Sequence, residues 1–290
     1  WGKQNAAGQG VSGTDDKEFN RPTDVAVAPG SSSSCPSCDG SFYVADRNNH
    51  RIQKFDSDGI LVDIWGKQNA AGHGVSGGGD KAFNRPVGVA VAPDGSVYVA
   101  DNYNHRIQVF NSGGILVDIW GKVHPVGGYP IWGKGDRQFR NPTGVAVAPG
   151  PSSSCPSCDG SVYVADSSNH RIQVFNSDGN LVDIWGKQNA AGQGVSGTDD
   201  KEFNRPKGVA VAPDGSVYVA DLDNHRIQKF DSDGDFLFEW GEQGQGEGEF
   251  KFPRGVAVAP GPSSSCPSCD GSFYVADTDN HRMQKFSVGP

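Results

Sequence analysis

The chain has 290 residues, a formal net charge of −9 and 41 glycines, about double the usual glycine share of ~7%. The negative charge argues against binding to nucleic acid or to an anionic membrane surface, both of which need a positive field. No apolar run approaches the ~20 residues of a membrane-spanning helix, and the short runs of Val, Ile, Phe, Tyr and Trp between Gly and Pro point to strands and turns rather than disorder. The chain begins at Trp1 rather than Met, which leads us to expect a processed product or an excerpt of something longer.

Self-similarity organises the whole sequence. Residues 1–22 recur letter for letter at 185–206, and a near copy runs from Trp65 to Pro86. A Trp-Gly pair opens each of five units, at Trp1, Trp65, Trp120, Trp185 and Trp240. We therefore read one domain, 1–290, built of repeat units 1–64, 65–119, 120–184, 185–239 and 240–290. Each unit passes from a Gly-rich linker ending in Phe and Pro to VAVAP, then YVAD, then NHR(I/M)Q(K/V)F, and then an apolar segment such as ILVDIWG.

In the second unit this order predicts strands Gly88–Ala92, Val97–Ala100, Arg106–Phe110 and Ile115–Trp120. Pro93-Asp94-Gly95 and Asn111-Ser112-Gly113-Gly114 are its hairpin turns. Four antiparallel strands per repeat predict a propeller blade. The small residues of the first strand suit an innermost position, and the Trp and Ile of the last strand suit the periphery. The expected fold is all-β: a β-propeller of four-stranded antiparallel blades, with five repeats in the chain. The last blade should lack its own outer strand, because the sequence stops at Phe286-Ser287-Val288-Gly289-Pro290 without an ILVDI segment. An open outer edge invites strand addition, so self-assembly through it is an expectation.

Five histidines share the NHR motif: His50, His105, His170, His225 and His281. Equivalent positions on successive blades lie far apart, which favours one repeated structural role over a shared metal ion. The same holds for Asp46/Arg51, Asp101/Arg106, Asp166/Arg171, Asp221/Arg226 and Asp277/Arg282. In each pair a carboxylate ending one strand and a guanidinium starting the next can clamp the loop between them.

CPSCDG appears at Cys35/Cys38, Cys155/Cys158 and Cys266/Cys269, between the first and second strands. A local disulfide in each loop is the favoured reading and suits an oxidising compartment. A zinc site needing two loops and inert or intermolecular thiols stay open. Asp56-Ser57-Asp58-Gly59 and Asp231-Ser232-Asp233-Gly234 read as hairpin turns, since a calcium loop needs further oxygen ligands.

The order GVAVAP, YVAD, NHRIQVF and a Gly-Asx turn resembles the NHL repeat over essentially the whole chain, five times. That motif is found in TRIM-NHL proteins, in sensor domains of some bacterial kinases, in secreted proteins, and in a similar form in the peptidylglycine amidating lyase. The resemblance implies a propeller, usually of six blades, where this chain has five units. It implies little about activity, because one fold hosts many functions. By resemblance the lyase holds zinc with histidines near its inner strands. Here those strands read VAVAP and contain no histidine, so that catalytic set does not carry over.

The long linkers and the D-x-x-N-H-R loops should share one end of the blades, and the Cys-x-x-Cys loops and Ser-Asp-Gly turns the other. The irregular linker Lys122–Arg140, with His124, Tyr129 and the extra Trp132, is the candidate binding patch. The sequence thus reads as a non-catalytic interaction scaffold without cofactor, expected at the cell surface or outside the cell. Its partner would be a protein or glycan, met through the face of long linkers, and it could belong to a repetitive assembly. The alternative is a metal-dependent lyase or hydrolase with its site at the channel mouth.

Overall fold

The computed structural model describes residues 2–30, 39–151, 155, 159–260 and 271–287. Its fold is all-β, with five antiparallel β-propeller blades, as the repeats predict. The blades fall into two compact units, residues 1–133 with 137–142, and residues 134–136 with 143–290.

The first unit holds two blades. Blade one pairs Pro22–Val27, Phe42–Asp46, Arg51–Phe55 and Leu61–Trp65 in chain order. Blade two pairs Pro86–Val91, Val97–Asp101, Arg106–Phe110 and Leu116–Val123. It gains a fifth strand, Pro130–Ile131, folded back from the irregular linker. The repeat pattern did not anticipate that strand, because nothing in the other units resembles it.

The second unit holds three blades. Blade three is Val145–Val147, Val162–Asp166, Arg171–Phe175 and Leu181–Trp185. Blade four is Pro206–Val211, Val217–Asp221, Arg226–Phe230 and Phe236–Trp240. Blade five has three strands among the described residues: Pro253–Val258, Phe273–Asp277 and Arg282–Phe286.

Alternation along each strand gives a blade two faces, and both become core. In the first unit Tyr43, Ile52 and Trp65 of blade one pack on Val89, Val99 and Phe110 of blade two. The same partition recurs in the second unit, where Tyr163, Ile172 and Trp185 meet Val209, Val219 and Phe230. Blades one and five each keep one face open. Val25 is 58% exposed where its counterpart Val89 is 3%, and Met283 is 65% exposed where Ile227 is 0%. The Trp-Gly pair has its own reason. Gly66 has φ +139°, and a Cβ there would stand 2.8 Å from the His50 carbonyl oxygen; Gly186 repeats this against His170.

The linkers have almost no secondary structure, so their backbone groups need other partners. One buried carboxylate per blade organises them. Asp46 accepts the backbone N–H of Asn20 on Oδ1, at 2.8 Å. On Oδ2 it accepts Asn49 Nδ2 at 2.8 Å, Arg51 Nε at 2.8 Å and Gln53 Nε2 at 3.1 Å. Those three side chains then donate to linker carbonyls: Asn49 to Gly13, Arg51 to Asp15 and Glu18, and Gln53 to Glu18. Gln53 Oε1 also accepts the Lys17 N–H. Blade two repeats the set around Asp101, blade four around Asp221 and blade five around Asp277. In blade three Asp166 holds Asn169, Arg171 and Gln173.

Burial pushes Asp221 up to about 6 against the pull of its donors, and it raises Asp101 likewise. Burial acts on Asp277 too, but there the Lys251 N–H, Asn280, Arg282 and Gln284 outweigh it and the carboxyl lies below its usual value. That last hub is the more open one, with the Arg282 side chain 29% exposed against 5% for Arg106.

Two outcomes follow. Breaking a buried, fully bonded ion pair costs about 3–5 kcal/mol, so Asp101→Ala should lower stability to urea by about that much and Asp277→Ala by clearly less. Equal losses under ~1 kcal/mol would contradict the role of the hub. Separately, Asp24 stands where the other first strands carry glycine, accepting the N–H groups of Val89 and Val25. Burial pushes its carboxyl from 3.8 to about 6. Its neutral form is the favoured one, so that stabilisation is complete below pH ~4 and lost as pH rises through ~6. The unfolding free energy should fall by roughly 3 kcal/mol more in the native chain than in Asp24→Asn over that window, measured by urea melts at pH 4 to 7.5.

Candidate functional site

The motif histidines are placed by the turn they end. Arg47–Asn49 and its four counterparts form single 3₁₀ turns, and the following histidine adopts the left-handed conformation, with φ between 53° and 56°. Histidine is among the few residues besides glycine that enter this region with some regularity. The turn aims the ring at the next linker. His50 Nδ1 accepts the Arg85 N–H at 3.1 Å, His105 accepts Asn141 at 3.0 Å, His170 accepts Arg205 at 3.2 Å and His225 accepts Phe252 at 3.2 Å. Each donor is also left-handed, with φ from 51° to 58°, and each directly precedes a proline. A residue before proline is normally extended, so the histidine bond holds a strained linker end in place. An accepting Nδ1 needs the neutral ring, and burial, helped by Arg85 or Arg140, depresses the pKa of His50 and His105.

The expected clamp pairs are in contact in all five blades. The Arg Nε to Asp Oδ2 distances are 2.8 Å for Arg51–Asp46, 2.8 Å for Arg106–Asp101, 2.8 Å for Arg171–Asp166, 3.0 Å for Arg226–Asp221 and 2.7 Å for Arg282–Asp277. The pattern alone suggested a two-residue clamp. The Asn and Gln of the same motif complete it, and their constant spacing from the Asp was the available signal.

The irregular linker brings the three candidate binding residues onto one short excursion. Its chain turns back at Pro125–Gly128, and the His124 and Tyr129 rings stack at 4.6 Å and 8°. His124 Nδ1 lies 2.5 Å from the Val126 carbonyl oxygen. Tyr129 is 53% and Trp132 51% exposed, with Val123 and Val126 exposed beside them. Arg140 lies over the Trp132 ring at 5.0 Å. A second cation–π pair on this unit, Arg85 over Tyr103 at 4.7 Å, also carries an Arg85 Nη1 to Tyr103 hydroxyl bond of 3.0 Å. Tyr103 is not among the residues that the repeat pattern singles out. Its signal was that no other blade has an aromatic residue at that place in the D-x-x-N-H-R turn. Exposed aromatic rings braced by arginine supply rigid apolar area beside a fixed charge, which favours contact with protein or sugar surfaces.

Of the six cysteines only Cys155 lies among the described residues, and it is buried; Cys35, Cys38, Cys158, Cys266 and Cys269 lie outside them. The Asp-Ser-Asp-Gly segments are hairpin turns in which the Asp oxygen caps two backbone N–H groups, those of Asp58 and Ile60 on Asp56 and those of Asp233 and Asp235 on Asp231. Among the described residues no three His, Cys, Asp or Glu side chains are grouped to hold a metal ion, and no helix is long and apolar enough to cross a membrane.

The family model of the NHL repeat matches at residues 37–55, 83–110, 155–175, 203–230 and 266–286, once per blade. The chain is similar to peptidyl-glycine alpha-amidating monooxygenase A of Xenopus laevis, 29% identical over 221 residues that make up 75% of this chain and 20% of that protein. It is similar to NHL repeat-containing protein 3 of Mus musculus, 28% identical over 210 residues, 70% of this chain and 52% of the other. The chain thus spans only part of the length of these relatives. Among solved structures, that of a streptogramin B lyase aligns with a TM-score of 0.53 at 11% identity, over 96% of this chain and 72% of that one, a likeness of fold alone. One repeat match in each of five blades, on the residues that build the buried hub, places the chain in the NHL-repeat family.

Proposed function

We propose that this NHL domain is a non-catalytic interaction scaffold that engages a protein or glycan partner through the linker face, in an extracellular or cell-surface setting. The observation that carries this reading is the division of labour between buried and exposed groups. The repeated Asp, Asn, His, Arg and Gln are taken up in holding linkers, while Tyr103, Tyr129 and Trp132 stand exposed on the linkers and turns so held. The alternative, a metal-dependent lyase or hydrolase, draws on the similarity to the amidating monooxygenase. It requires a donor set beyond the described residues. Stoichiometric zinc or calcium in the purified protein, read by elemental mass spectrometry, would favour it.

Self-assembly through the edge strand Arg282–Phe286 belongs to the same reading, supported by the exposed Met283 on that strand and by the exposed Val25 and Val27 of blade one. So does the oxidising setting. We assign each CPSC loop a local disulfide, in keeping with the buried, disulfide-bonded Cys155.

A glycan array and a panel of immobilised extracellular proteins, probed with the native chain and with the Tyr103→Ala/Tyr129→Ala/Trp132→Ala variant, test the binding face. The expected result is a set of ligands whose affinity falls at least tenfold in a variant with unchanged melting temperature; ligands indifferent to the triple change would place binding elsewhere. A native mass spectrum should show multiples of the 30.6 kDa chain. The denatured, unreduced mass should be short by six hydrogens for the six cysteines, whereas a monomer with free thiols would sink both the assembly and the oxidising setting.

A further inference from the structure

All five blades place an Ala and a Tyr side by side in one cross-strand row, and the third position is Lys in blades one, four and five but Val in blade two (Val109) and blade three (Val174). In blade one the row is Ala26–Tyr43–Lys54–Asp63, each residue facing the next across the sheet. Lys54 lies over the Tyr43 ring, its Nζ 5.6 Å from the centroid, and its charge helps lower the Asp39 carboxyl, after the Ser41 hydrogen bond. Blades four and five repeat this with Lys229 over Tyr218 at 5.4 Å and Lys285 over Tyr274 at 5.9 Å. In three blades, then, the tyrosine is covered by an ammonium from the chain itself.

Blade three keeps the tyrosine and the aspartate but not the lysine: its row reads Ala146–Tyr163–Val174–Asp183. A cavity of 180 Å³ opens at this place, between blades three and four. Tyr163, Val174 and Trp185 line it, and the carboxylates of Asp159, Asp183 and Asp233 stand around it. Asp183 Oδ2 accepts the Trp185 indole N–H at 2.7 Å, and Asp159 Oδ1 accepts the Ser161 N–H at 2.9 Å; these bonds fix the two carboxylates in place. Burial, with the charges of Asp159, Asp233 and Asp231 added, pushes the Tyr163 hydroxyl up to about 12, as burial does for its counterparts Tyr43, Tyr98 and Tyr218.

We propose that this cavity is a binding site for the lysine side chain of a partner polypeptide. The aromatic rings receive the ammonium as Tyr43, Tyr218 and Tyr274 receive the chain's own lysines. The three carboxylates supply the counter-charge, and Val174 leaves room for the aliphatic stem where Lys54, Lys229 and Lys285 fill it in blades one, four and five. An acidic cluster alone would not specify a ligand; the three internal lysines do, because they show which group this row accepts. The turns that carry Asp159 and Asp233 lie at the opposite end of the blades from the linkers, so the site is independent of the linker face proposed above.

Calorimetric titration of the native chain with acetyl-Gly-Gly-Lys-Gly-Gly-amide, its norleucine counterpart and n-butylammonium tests the assignment. The lysine peptide should bind, the norleucine peptide should not, and Asp183→Asn should weaken the lysine peptide at least tenfold. Val174→Lys rebuilds the Ala-Tyr-Lys-Asp row of blade one, so it should fold and should lose one bound equivalent of peptide. Lys54→Val, which recreates the blade-three row in blade one, should gain one. Unchanged stoichiometry and affinity in Val174→Lys would overturn the site. Butylammonium binding as tightly as the peptide would overturn the polypeptide as its source.

Discussion

Each blade of this protein is a short antiparallel sheet that could fold with many loops or none, and what makes the repeat a repeat is a single carboxylate sealed at the end of its second strand. Asp46 and its counterparts accept three or four N–H donors at once, and every side-chain donor in that set has a second hydrogen to give to a linker carbonyl. A charge in so dry a place is tolerable only when it is fully bonded. The linker is therefore a condition of the hub's stability as much as its beneficiary. Strand, turn and linker become one cooperative element.

The histidines extend this coupling from one blade to the next linker. A left-handed histidine meets a left-handed residue before proline, two conformations that local sequence preference disfavours, joined by one Nδ1 to N–H bond. Neither would persist alone. Their pairing explains why the motif keeps His where a simple turn would take Gly or Asn, and why the imidazole serves structure before any chemistry.

Periodicity made the blades legible. The strands of the second unit could be read to within a few residues, because Val-Ala alternation and Asp-Gly turns act locally. The Asp–Arg contacts were legible from spacing for the same reason. What the sequence hid was set by distant partners. Strand Pro130–Ile131 exists because an otherwise irregular linker found the free edge at Lys122 and Val123. Asn49 and Gln53 became hub members only when linker carbonyls arrived from more than thirty residues away. Tyr103 looked like one variable turn residue until Arg85 was seen stacked over it, and the cavity of blade three became visible only when Val174 was set beside the lysines of blades one, four and five.

The hub grips each linker through main-chain oxygens: Gly13, Asp15 and Glu18 in the first unit, Gly77, Gly79 and Ala82 in the second, Gly244, Gly246 and Glu249 in the last. Carbonyls are common to all amino acids, so beyond the crowded glycine it grips first and the phenylalanine buried at the linker's end, such as Gly77 and Phe83, the socket asks little of the side chains plugged into it. The near-identical linkers of the first, second and fourth units, the aromatic excursion at Lys122–Arg140 and the Glu-rich stretch after Trp240 are different inserts in one fitting. A fold so built can trade its recognition surface one loop at a time while its core stands still, as an antibody framework does.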